Sequence, residues 1–370
     1  FTNITLDVTI PNTLANDTAL VGGKPYGQYG DFQKEVDMIN QAFAELMLEG
    51  DVLGRGFTFP IPTYNITEDV DISHPSVRKI FEMTAKFGSP YFANFISSDM
   101  SPEDVRSMCC RLRLDLTDLK KRGGGLFGSN PLTGSIAVCT INLSRLGYLS
   151  ESREEYFQRL GYLVDLAVKS TNIRREIVES MTEKGLYPFA KHYLTGVKQV
   201  RDSYWGNHFG TVGVVGMNEA CLNHLGVDIS HPDGYQLAKD TLNFIRDKLV
   251  EYQKENGILY NLEATPAEGA SYRLALIDKK HYPDIIVANE KEVREHGAEP
   301  YYTNSTFLPM GHTGNLIELL EHQSPLQSLY TGGTVFHMFV GEHKPDPEAC
   351  GHLIKRVFSE YELLSTPGYF

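Results

Sequence analysis

Short apolar runs of strand length alternate with long amphipathic stretches along most of this chain, and that alternation limits what it can fold into. Strands separated by whole helices pair in parallel, with the helices packed on the sheet, so the pattern implies a parallel α/β sheet or barrel. The extended runs cover 1–10, 57–64 (held open by Pro60 and Pro62), 91–96, 112–116, 135–143, 211–215, 261–264, 301–307 and 334–340. Helical spacing covers 32–48, closed by Gly50, then 74–87, 151–181, 216–225, and 232–255, closed by Gly257. A glycine-rich stretch, 123–130, reads as a loop. Periodicity leaves open an eight-stranded barrel, an open doubly wound sheet or a rarer arrangement. With 370 residues the chain can form one large domain or two medium ones, with an ample core.

Composition removes several function classes. The net charge is −13 and no basic block occurs, which argues against a nucleic-acid surface without excluding a nucleotide, whose phosphates need only local donors. No apolar run approaches the ~18 residues of a transmembrane helix. Five cysteines, none in CxxC spacing, do not make a disulfide framework or a zinc site, and no metal ligand set is expected in this sequence. Reduced thiols in the cytoplasm are the expectation.

Those thiols lie in informative places. Ser107-Met108-Cys109-Cys110-Arg111 is followed by the strand-like run Gly134–Leu143, which carries Cys139. Cysteine is the side chain best suited to thiolate or one-electron chemistry, although buried packing is its commoner use. Alternation along 135–143 puts Ala137, Cys139 and Ile141 on one face and Val138, Thr140 and Asn142 on the other. Cys139 and Asn142 therefore cannot face the same site from a regular strand. Further on, Thr265-Pro266-Ala267-Glu268 satisfies the rules for a helix start: Thr265 as N-cap, Pro266 in the first turn, Glu268 completing a capping box. An extended run ending at Ala264 delivers the chain to that helix. Its exposed N–H groups, with Gly269 and Ala270 keeping the approach open, suit an anion. The run 301–306 offers Asn304, Ser305 and Thr306 to a ligand, or else forms an edge strand with a solvated face.

The words Met108-Cys109-Cys110-Arg111, Gly134–Leu143, Glu263–Gly269 and Tyr302–Thr306 together resemble the class III (anaerobic) ribonucleotide reductases, over nearly the whole chain. The resemblance implies a ten-stranded α/β barrel made of two antiparallel halves of five parallel strands, with residues 1–370 forming most of one catalytic domain. It implies reduction of ribonucleoside triphosphates to 2′-deoxyribonucleoside triphosphates by thiyl and glycyl radical chemistry. Cys110 is then the radical carrier and Cys109 its neighbour, with Cys139 able to replace or assist it. The asparagine of the family matches Asn142 or Asn130. Thr265, Pro266, Ala267, Glu268, Gly269 and Ala270 would hold the substrate phosphates, and Asn304, Ser305 and Thr306 would line the pocket. The implied partners are ATP and deoxynucleotide effectors, a second subunit of a homodimer, and a radical-SAM iron–sulfur activase that installs the glycyl radical. The family's radical word, of Arg-Val-x-Gly-Tyr type, and its paired CxxC zinc motifs do not occur; Gly368-Tyr369 lacks the Arg-Val lead. The N-terminal ATP cone is likewise not in the sequence, so the chain is expected to bind substrate without turning it over alone. The competing expectations are another glycyl radical enzyme of the formate acetyltransferase type, which a phosphate site disfavours, and a non-catalytic nucleotide-binding fragment.

Overall fold

The computed structural model describes residues 3–97, 132–310, 312, 314–337, 345–361 and 365–367. It divides into two compact units, Phe1–Asn130 with Val335–Phe370, and Pro131–Thr334.

The first unit begins with β1 (Asn3–Asp7), a short helix α1 (Asn12–Ala15) and an antiparallel hairpin of β2 (Thr18–Val21) and β3 (Lys24–Gln28). Helix α2 (Gln33–Glu49), strand β4 (Ile61–Ile66), helix α3 (Pro75–Phe87) and strand β5 (Tyr91–Asn94) follow. β4 pairs in parallel with β1 on one side and β5 on the other. Helix α3 shows how the sequence sets these limits. Pro75 occupies its first turn, where a missing N–H loses nothing, and Gly88 closes it in the left-handed conformation. Between them Val77, Ile80, Phe81 and Thr84 recur at three- and four-residue spacing and are buried, and Phe81 stacks on Phe92 of β5 with ring centroids 5.3 Å apart.

The second unit contains β6 (Gly134–Asn142), α4 (Leu143–Leu149), α5 (Arg153–Glu183), α6 (Pro188–Tyr193) and α7 (Thr195–Arg201). Next come β7 (His208–Val215), α8 (Met217–Leu225), α9 (Pro232–Asn256), β8 (Tyr260–Glu263), α10 (Glu268–His281), α11 (Glu290–His296) and α12 (Leu316–Gln327). β6, β7 and β8 form a parallel sheet with β7 central. Helices α5 and α9 pack on one face of it. Tyr156, Leu160, Val164, Leu242 and Ile245 from those helices bury there with Val212, Val214 and Leu262, each such side chain worth about 1.5–3 kcal/mol of burial. The chain then returns to the first unit through α13 (Pro347–Glu360) and β9 (Ser365–Pro367), which pairs antiparallel with β5. The protein is thus an α/β fold with two sets of parallel strands.

All five helices expected from spacing are present, with ends shifted by three residues or fewer. Two expected strands are not. Residues 301–307 make only an isolated bridge, Val215 to Asn304. Their backbone is engaged at the start of α8 instead: Gly216 and Met217 donate to the carbonyls of Thr303 and Ser305 at 2.9 and 3.0 Å. Ser305 has φ 37°, which breaks an extended run. Likewise 334–337 is not a strand; the contact falls one residue earlier, where Gly333 bridges Glu263. The runs 112–116 and 338–340 lie outside the described residues.

Candidate functional site

The three parallel strands of the second unit end at one edge, where ligands of parallel α/β sheets are commonly held. Register separates the two faces. Cys139, Val212 and Leu262 form one cross-strand row and point into the helix-covered core; Thr140, Gly213 and Glu263 form the next row, on the opposite face. The expected alternation therefore holds across all three strands. It puts Cys139 against the core cluster and not with Thr140 and Asn142.

The segment after β8 departs from the expected helix start. Helix α10 begins only at Glu268, with Ala267 as its N-cap in the left-handed conformation (φ 49°, ψ 24°) and no side-chain cap. Thr265 and Glu268 therefore form no capping box. Thr265 is turned back: its N–H donates to the Glu263 carbonyl at 3.0 Å, and its hydroxyl accepts from the Thr140 hydroxyl at 3.3 Å. Glu268 and Gly269 are exposed, and Pro266, Ala267 and Ala270 are partly so. The first intrahelical bond runs from the Ser271 N–H to the Ala267 carbonyl, which leaves the N–H groups of the first turn directed out of the helix end. An uncapped N-terminus of a 14-residue helix, at the carboxyl end of a parallel strand, suits an anion.

Beside it lies 302–306. The buried carboxylate of Glu219, in the first turn of α8, accepts from the Thr303 N–H (2.8 Å), the Thr303 hydroxyl (2.6 Å) and the Asn218 amide (2.9 Å). Burial pushes the Glu219 carboxyl above the ordinary range, and these donors only partly offset it. Thr306 is fully buried and bonded to the Tyr330 hydroxyl at 2.9 Å. Among the described residues, the buried side-chain oxygen of Asn304 and both amide atoms of Asn261 on β8 have no hydrogen-bond partner. Such atoms call for a ligand or water.

Asn142 is the N-cap of α4, its amide oxygen accepting from the Arg145 N–H at 3.1 Å. Its amide nitrogen donates to Asp278 of α10 at 2.7 Å. The same fully buried carboxylate accepts from Tyr302 Oη (2.7 Å) and Arg145 Nε (2.6 Å), and is paired with Arg145 Nη2. Both polar atoms of Asn142 are thereby engaged. Among the described thiols none is activated: burial raises Cys139 above its ordinary value, Cys221 up to about 12 and Cys350 to about 11. Cys109, Cys110 and Asn130 lie outside the described residues. Among the described residues no group of three or more His, Cys, Asp or Glu side chains is arranged to hold a metal, and no helix is long and apolar enough to cross a membrane.

A sequence model of the anaerobic ribonucleoside-triphosphate reductase family matches residues 1–366. The chain belongs to that family. It is 23% identical to the anaerobic ribonucleoside-triphosphate reductase of Haemophilus influenzae over 210 residues, 54% of this chain and 28% of that protein. The enzyme of the same name from enterobacteria phage T4 is 22% identical over 130 residues, 35% of this chain and 20% of that one. The fold is similar to that of the anaerobic ribonucleotide reductase of Thermotoga maritima. A crystal structure with MES in its active site has a TM-score of 0.72 at 20% identity, covering 99% of this chain and 57% of that one. The same protein in complex with dATP and CTP gives 0.68, also at 20% identity, over 99% and 56%. The chain thus spans well under two thirds of the length of each of these relatives.

In this member of the family, sequence reasoning pointed to the 265–270 and 304–306 segments but not to what holds them. The Asn218-Glu219 pair carried a faint signal, an acid at a helix start behind a glycine. Asp278 carried none, because it sits in the last turn of a helix like any solvated acid, and only the fold brings Arg145, Asn142 and Tyr302 to it.

Proposed function

We propose that this chain is the substrate-binding part of an anaerobic ribonucleoside-triphosphate reductase, which converts ribonucleoside triphosphates to 2′-deoxyribonucleoside triphosphates. The observation that carries this reading is the uncapped start of α10 at the carboxyl edge of the β6–β7–β8 sheet, where Ala267 packs in one cluster with Tyr302 of the segment that carries Asn304. Family membership over 1–366, and a Thermotoga maritima relative complexed with dATP and CTP, support a nucleoside triphosphate as the ligand. The phosphates sit at 265–270, where the outward N–H groups and the helix dipole meet them, and Asn304, Ser305 and Thr306 line the pocket.

Within this reading residues 1–370 belong to a single catalytic domain of the ten-stranded α/β barrel type. Cys110, with Cys109 beside it, carries the thiyl radical, while Cys139 is left to the core. Asn130 is preferred to Asn142 as the family's asparagine, because both polar atoms of Asn142 are already engaged. A glycyl radical, installed by a radical-SAM iron–sulfur activase, supplies the one-electron chemistry, and zinc belongs to a separate module. Neither group is assigned to the described residues, whose work is to bind and orient the nucleotide. A homodimer regulated by ATP and deoxynucleotides, in the cytoplasm, completes the proposal.

Gly269→Asp tests it. A Cβ at 269 meets nothing within 4 Å, and an acidic residue in the first turn favours the helix, so the fold is preserved. Affinity for CTP, measured by calorimetry, is expected to fall about tenfold or more while cytidine binding is unchanged. Equal CTP affinity in the variant and the parent would remove the phosphates from this helix.

A further inference from the structure

The row Thr140–Gly213–Glu263 runs in register across all three strands, and its middle position carries no side chain. Thr265 fills that gap. A Cβ built at Gly213 would overlap the Thr265 hydroxyl and lie 3.0 Å from Thr265 Cβ and 3.2 Å from the Thr140 hydroxyl. Thr265 reaches the gap because its N–H folds back onto the Glu263 carbonyl, two residues earlier. Only about 9% of Thr265 is exposed, and among the described residues its hydroxyl is bonded to Thr140, on a strand that is not a neighbour of β8. Two residues later Ala267 adopts the left-handed conformation, which is unfavourable for alanine, and packs against the cluster of Val215, Ala275, Val287 and Tyr302. The turn into α10 is therefore pinned at both ends, by a hydroxyl in a notch and by a methyl on a small core.

We infer that Thr140 and Gly213 are positioning residues for the phosphate segment: the notch at Gly213 and the Thr140 hydroxyl hold Thr265, and so set where the first-turn N–H groups of α10 point. This inference rests on the reading that the segment binds phosphate. The contribution of Thr140 and Gly213 is that the segment is already in place when the ligand arrives, which removes an ordering cost from binding.

The test compares CTP with cytidine by calorimetry in the parent chain and in Thr140→Val, Thr140→Ser and Gly213→Ala, together with amide hydrogen exchange over 264–271 without nucleotide. Thr140→Val keeps the shape and removes the donor. It is expected to weaken CTP about threefold to tenfold, leave cytidine unchanged and speed exchange in the segment. Thr140→Ser is expected to restore both. Gly213→Ala is expected to exceed Thr140→Val in both readouts; if it fails to fold, the valine and serine variants still decide. Unchanged exchange and CTP affinity in folded Thr140→Val would overturn the latch. Equal loss for CTP and cytidine would also overturn it, since that marks general damage to the site. Faster exchange in a protein whose parent form binds CTP no better than cytidine would keep the latch and remove the phosphate reading.

Discussion

Two carboxylates lie fully buried near the carboxyl edge of the β6–β7–β8 sheet, Asp278 and Glu219, and their surroundings differ in kind. Asp278 faces the guanidinium of Arg145 together with an amide and a phenol. Among the described residues Glu219 faces neutral donors: the Thr303 N–H and hydroxyl, and the Asn218 amide. A buried charge with a cation opposite is compensated and ties elements together, here α4, α10 and the 302 segment. A buried acid with neutral donors is held in place but keeps a high affinity for its proton. Asp278 thus reads as a fixed tie of the scaffold, and Glu219 as the holder of 303–305, the segment proposed to line the nucleotide pocket.

The largest effect that would break this contrast concerns Arg145. Arg145→Met leaves the Asp278 carboxylate buried with two neutral donors. The expected cost is about 3 kcal/mol, the lower end for an orphaned buried charge because Arg145 is itself partly exposed. Urea unfolding measures it. A loss of about 0.5 kcal/mol, as for a surface pair, would mean that Asp278 does not depend on the cation. The next effect separates the two duties of Asn142. Asn142→Ala removes the cap of α4 and one donor to Asp278, for about 1–2 kcal/mol. Asn142→Asp keeps a good cap but sets a second carboxylate against Asp278. If the cap is the main duty, aspartate is tolerated; we expect it to cost more than alanine.

How much of this was legible in the sequence follows from range. Helices such as α3 are written locally, in a proline, a glycine and spacing between them, and they were found. So was the parity that sends Cys139 and Thr140 to opposite faces, because alternation is a property of one strand. The cap at Thr265 was misread although its local signals are good. Thr265 is drawn away by a gap at Gly213 and a hydroxyl at Thr140, and neither is visible within the Thr265–Glu268 word. The run 301–307 failed for the same reason: its carbonyls meet the start of α8, more than 80 residues earlier in the chain. The thiol word at Cys109-Cys110 carried the family resemblance, but the described residues do not include it.

The smallest expected effect sharpens the contrast from the side of Glu219. Burial raises its pKa in the folded chain above the unfolded value of about 4.5. Folding therefore favours the protonated form. The stability tied to this group is fully present below the unfolded pKa and is lost as pH rises through the folded one. Glutamine does not titrate, although its NH2 replaces an oxygen that accepts in the parent, so Glu219→Gln should carry a fixed cost at the acid end. As pH rises above the unfolded value of about 4.5, the difference in unfolding free energy should move in the variant's favour until the folded group has titrated. No such drift is expected when the same comparison is made for Asn142→Ala, which leaves Glu219 in place. A difference that stays flat with pH, or moves in the parent's favour, would mean that the neutral donors outweigh burial and hold Glu219 ionised in the folded chain. The two carboxylates would then do the same work.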